Sequence, residues 1–143
     1  MSPELLRYAV CLLVAHGALV VLLTRMRLGG AAGAGRLDVG TGLLTCHTTT
    51  GTVAVVCWAT ILLSEAAAEP TGGPLTFVAL AAWWAVASLG VLILLRWLPA
   101  RGRHASPATA DAWSSGPLLS VVAHGSVLLD AGVLTWLVAT GTL

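Results

Sequence analysis

Four apolar stretches, each about 20 residues long, alternate with three short polar segments along the chain, and this spacing predicts four membrane-spanning helices. The stretches cover about residues 5–24, 40–63, 75–95 and 117–140. A hydrocarbon core of about 30 Å takes roughly 20 apolar residues of helix to cross. The segments between them carry the turn and capping chemistry. Residues 28–40 are rich in glycine, and Asp38 is placed to cap the second helix. Residues 64–74 hold Glu65 and Glu69 but no base, and residues 96–116 hold Arg96, Arg101, Arg103, His104 and Asp111. Ser2, Pro3 and Glu4 make a favourable helix start, Pro99 stops the third helix and Pro117 opens the fourth. The expected fold is all-α: one integral membrane domain spanning 1–143, a four-helix bundle running up-down-up-down.

Charge adds orientation. Loops one and three carry five arginines from Arg27 to Arg103, whereas loop two carries none, so loops one and three are expected in the cytoplasm and both termini outside. The same charges argue that the first stretch is a retained helix. A signal peptide has its basic residues before the apolar run, whereas Arg25, Arg27 and Arg36 follow this one.

Composition narrows the class further. The chain is 57% hydrophobic and 9% charged, with net charge +1, which leaves no room for a separate soluble domain and excludes a basic nucleic-acid surface. Every basic residue is arginine, and lysine, asparagine and glutamine are absent, the signature of a GC-rich bacterial genome. The expected location is therefore a bacterial cytoplasmic membrane, with the lipid bilayer and other membrane subunits, or further copies of the chain, as partners. Cys11, Cys46 and Cys57 form no CxxC pair and are read as small hydrophobes.

Against this apolar background the ionisable residues inside the spans are the functional candidates, because each is costly in hydrocarbon. Three of the four histidines, His16, His47 and His124, lie within spans. At 1.5 Å of rise per residue all three fall roughly 10–12 Å from the arginine-rich end. His47 shares a helix face with Gly51, Ala54 and Trp58, and His124 with Leu128, Ala131 and Thr135. Asp130 is the one carboxylate well inside a span. It shares a face with Ser126 and points away from His124, so its partner is expected on another helix, with His16 nearest in depth.

Other features carry bland readings. Thr48, Thr49, Thr50 and Thr52 are expected to bond back to helix carbonyls. Trp83 and Trp84, near mid-membrane, are expected to pack in the core or against a cofactor or a second subunit. The tetrapeptide Val-Ala-His-Gly at 14–17 and again at 122–125 is too short to establish an inverted repeat.

Two neutral imidazoles facing each other from separate helices suit the axial ligation of a b-type haem, with small residues leaving space for the macrocycle. His47 and His124 are the best pair, with His16, Gly51, Ala54 and Ala131 around them, and cytoplasmic arginines within reach of the propionates. The layout is similar to that of small cytochrome b membrane anchors, an analogy of helices and histidines without a shared motif. The leading expectation is a haem-b-binding electron-transfer subunit of a respiratory-type complex. A cofactor-free accessory or assembly subunit is the first alternative, and a proton or small-molecule transporter component the second. No nucleophile elbow, phosphate loop or paired-carboxylate site supports an enzyme acting alone.

Overall fold

The computed structural model describes residues 2–29, 39–64, 73–95 and 118–143. They form four helices, α1 (Pro3–Gly29), α2 (Thr41–Leu63), α3 (Pro74–Leu95) and α4 (Leu118–Ala139). All four are long and apolar enough to cross a bilayer, and the protein is a membrane protein built as a four-helix bundle.

Helix ends follow local chemistry. The Ser2 hydroxyl accepts from the Leu5 amide at 3.3 Å, with Glu4 in the first turn at the positive end of the helix dipole. At its other end α1 runs to Gly29, five residues beyond the boundary expected at Thr24. Charge there does not stop a helix, and arginines in the last turn complement its negative end. Gly40, not Asp38, occupies the N-cap of α2 and makes no side-chain capping bond, while Asp38 itself lies outside the described residues. α4 closes in a Schellman motif: the Thr142 and Gly141 amides donate to the Leu137 and Val138 carbonyls at 2.9 and 3.1 Å, with Gly141 at φ +62°.

Neighbours around the ring run α1, α2, α3, α4 and back to α1, leaving α2 and α4 on one diagonal. Side-chain contacts fix the antiparallel sense. Arg7 of α1 donates to the Leu62 carbonyl near the end of α2, whereas Val21 lies beside Gly51 in its middle. On the other side His16 reaches Asp130 and Arg27 reaches Ser120.

Large aliphatic side chains such as Leu12 and Leu129 face outward, while the interior mixes large apolar residues such as Trp58, Trp83, Ile93 and Leu134 with small and polar ones. This suits lipid, where leucine gains nothing by leaving the hydrocarbon and helices are held by close packing and hydrogen bonds. Three glycines make the close approaches possible. Trp83 of α3 packs over Gly17 of α1, Val21 of α1 over Gly51 of α2, and the His124 ring of α4 over Gly90 of α3. Around the first of these, Ala54, Trp58, Ala79, Trp83, Ala131 and Leu134 form a core with almost no exposed surface.

A methyl group added at Gly17 lies 2.6 Å from the Trp83 ring, whereas at Gly132 it meets nothing within 4 Å. Gly17→Ala is therefore expected to destabilise the bundle by about 1–3 kcal/mol, and Gly132→Ala to be neutral or slightly stabilising, as read by reversible unfolding in mixed detergent micelles. Equal effects at the two positions would reject the tryptophan-over-glycine contact.

Candidate functional site

Two polar constellations occupy the half of the bundle where α1 ends and α4 begins. The first lies across the diagonal. His47 of α2 and His124 of α4 both point inward, 1% and 5% exposed, with ring centroids 5.9 Å apart and ring planes inclined by 60°. The His124 Nδ1–H donates to the Ser120 carbonyl one turn earlier at 2.9 Å, which places the lone pair of the neutral ring on Nε2. The His124 ring can lie there because Gly90 presents no side chain. His47 Nδ1 is buried with no hydrogen-bond partner among the described residues. An orphaned buried nitrogen costs about 1–3 kcal/mol, and the buried indole nitrogens of Trp58 and Trp83 are unpartnered among the described residues as well.

Gly51, Ala54 and Ala131, expected to surround this pair, are all buried, with Gly51 and Ala54 continuing the His47 face along α2. The adjoining crevice is lined instead by α1 and α4, with Ile93 of α3. It encloses about 60 Å³ and takes His124, Ser120, Arg27, Thr24, Val20 and Ala123 among its walls. The Arg27 guanidinium is 8% exposed and donates to Ser120 Oγ at 3.2 Å. Neither Arg27 nor Ser120 stood out in the sequence. The signal was available in the helical period, since Arg27 lies eleven residues, three turns, beyond His16 and Ser120 lies one turn before His124.

The second constellation bridges α1 and α4. His16 Nδ1 and Asp130 Oδ2 are 2.6 Å apart, and His16 Nε2 lies 3.2 Å from Ser126 Oγ. Ser126 Oγ also lies within hydrogen-bond distance of the Val122 and Ala123 carbonyls, at 2.8 and 2.9 Å. A proton between His16 Nδ1 and Asp130 Oδ2 joins the pair, and this pairing lowers the cost of keeping a carboxyl group in hydrocarbon. His16 thus belongs to a separate pair from His47 and His124. The two Val-Ala-His-Gly copies have different surroundings as well, for Gly17 receives Trp83 whereas nothing lies within 4 Å of a methyl placed at Gly125.

The remaining candidates have local roles. Thr48 and Thr52 donate to the Leu44 and Thr48 carbonyls. Trp84 Nε1–H donates to Thr135 on α4, while Trp83 is buried in the core. Cys11 and Cys46 are exposed, Cys57 is half-buried, and all three are free thiols. Among the described residues no three His, Cys, Asp or Glu side chains converge as a metal site. His104 lies outside the described residues. Comparisons with protein-family profiles, curated proteins and solved structures found no match to the chain.

The His16–Asp130 geometry predicts mutual dependence. Asp130→Leu is expected to cost about 1–3 kcal/mol by stranding His16. A double-mutant cycle with His16→Leu should recover roughly 0.6–1.7 kcal/mol of coupling, the range for hydrogen bonds between membrane helices. Additive single effects in detergent unfolding would show that the two residues do not act as a pair.

Proposed function

We propose that this chain is a small electron-transfer subunit that holds haem b between His47 and His124. The opposed pair of imidazoles carries the reading. Two imidazoles on opposite sides of one metal, each nitrogen about 2 Å from it, have ring centroids roughly 6 Å apart, against 5.9 Å between His47 and His124. The tautomer imposed on His124 by Ser120 is the outer-shell arrangement expected of a ligating histidine, and the unpartnered Nδ1 of His47 is a nitrogen open to a ligand. Bound there, the haem supplies one-electron chemistry.

The chain's own residues have definable tasks. His47 and His124 would hold the iron from diagonal helices, the Ser120 carbonyl orients the His124 ring, and Arg27, with Ser120, would offer donors for a propionate at the same end of the bundle. The hollows at Gly51 and Gly90 are filled by Val21 and the His124 ring. Seating a macrocycle would require Val21 to turn aside and α1 and α3 to draw back while the 5.9 Å His47–His124 spacing is kept. The proposed setting is a bacterial cytoplasmic membrane with both termini outside and the arginine-rich loops in the cytoplasm, beside a larger respiratory-type complex.

An absorption spectrum of the purified protein tests the centre. A Soret band that sharpens on reduction is expected, and His47→Ala and His124→Ala should each abolish haem retention while His104→Ala retains it. A featureless visible region, with the protein folded, would replace this reading with that of a cofactor-free accessory subunit. Topology has its own test: a reporter fused after His104 should behave as cytoplasmic, and extracytoplasmic behaviour would overturn the orientation.

A further inference from the structure

The diagonal histidine pair offers two nitrogen donors in close apolar surroundings. The His124 Nδ1–H is committed to the Ser120 carbonyl at 2.9 Å, so its ring presents the Nε2 lone pair, and His47 Nδ1 is buried without a hydrogen-bond partner among the described residues. The ring centroids are 5.9 Å apart, close to the roughly 6 Å set by one metal ion with a nitrogen about 2 Å away on each side. A two-coordinate ion leaves each ring free to turn about its own metal–nitrogen bond, so the 60° between the ring planes is accommodated. Val21 of α1 and Val86 of α3 stand over Gly51, one turn from His47, and the His124 ring itself fills the hollow at Gly90. A bare ion needs the two rings to face it across this gap, whereas a macrocycle needs Val21, α1 and α3 to draw back as well.

We infer that the haem-free chain binds one Cu(I) ion between His47 and His124. Ligand number selects this ion. Among the described residues no three His, Cys, Asp or Glu side chains converge, and a site with two donors suits a monovalent d10 ion, for which linear coordination is an ordinary geometry. Zn²⁺ in a closed site is tetrahedral, Mg²⁺ and Ca²⁺ take a full shell of oxygens, and Cu(II) is tetragonal. Charge selects in the same direction. Neutral imidazoles leave the charge of the ion uncompensated, and the Born cost of burying it grows with the square of that charge, so a monovalent ion costs roughly a quarter as much as a divalent one. Arg27, 8% exposed in the crevice that His124 also lines, adds a positive charge on that side and weighs further against a divalent ion. Imidazole is a copper ligand, and the Ser120 carbonyl is the outer-shell partner that holds the His124 ring for it. The inference shares its two ligands with the haem reading and does not depend on haem, which when bound would occupy both donors and exclude the ion.

The haem-free full chain in lipid nanodiscs, titrated anaerobically with Cu(I) against the coloured chelator bicinchoninate, tests it. One ion per chain is expected to be retained, with the X-ray absorption edge of two-coordinate Cu(I) and nitrogen neighbours at about 2 Å. Thiols also take Cu(I), so the measurement is repeated on the chain carrying Cys11→Ala, Cys46→Ala and Cys57→Ala together, where the same stoichiometry and edge are expected. His47→Ala and His124→Ala should each weaken binding by more than the roughly 10–100-fold that loss of an outer-shell partner costs, and excess Zn²⁺ should not displace the ion. Failure to take copper from the chelator, sulfur neighbours in the absorption spectrum, loss of binding in the folded cysteine-free chain, displacement by Zn²⁺, or wild-type affinity in a folded histidine variant would each overturn the inference. The spectrum is read on chains that keep both histidines, so a histidine variant that fails to fold does not decide the outcome. Copper binding with no Soret band in protein from haem-supplied cells would keep this site and reject the haem, and a Soret band without copper binding by the haem-free chain would do the reverse.

Discussion

Hydrocarbon gives helices no hydrophobic reason to associate, and every other feature of this bundle answers to that constraint. Leucines such as Leu12 and Leu129 are left to the lipid. The interior is assembled from complementary shapes: a tryptophan, a valine and an imidazole set over Gly17, Gly51 and Gly90. Each brings two helix backbones close enough for dispersion contacts to accumulate, which a leucine-lined interface in lipid does not achieve. The third of these contacts also positions a functional candidate, so the packing that holds α3 to α4 is the packing that turns His124 toward the bundle axis.

The same solvent decides how polar groups are arranged. Water satisfies nothing at the depth of Asp130, so the carboxyl is met by His16, and His16 in turn by Ser126. Arg7, nearer a helix end, finds the Leu62 carbonyl, where a cation also meets the negative end of α2. His47 Nδ1 lies among residues with little or no exposed surface and lacks a partner among the described residues, as do the buried indole nitrogens of Trp58 and Trp83.

Position within the bundle separates the two constellations functionally. The His47–His124 pair lies across the diagonal and is buried, with His124 also lining the crevice between α1 and α4. The His16 cluster lies in a seam between adjacent helices, with the His16 side chain 37% exposed.

Hydropathy and spacing were sufficient to determine four helices, because a bilayer crossing fixes the length and apolarity of a span before any tertiary contact forms. The face of α2 that carries His47, Gly51, Ala54 and Trp58 was equally legible, since helical period alone groups them, and the depth of Asp130 followed from the rise per residue. Tertiary structure decided what these faces meet. Depth and face already pointed from Asp130 to His16 and from His47 to His124, but period cannot tell how closely two faces approach, so the 2.6 Å and 5.9 Å separations and the part of Ser126 depended on how the helices are ordered around the ring. The burial of Arg27 against Ser120 was hidden for a different reason. An arginine near a span boundary reads as a loop charge until α1 is seen to continue to Gly29 and carry it into the seam.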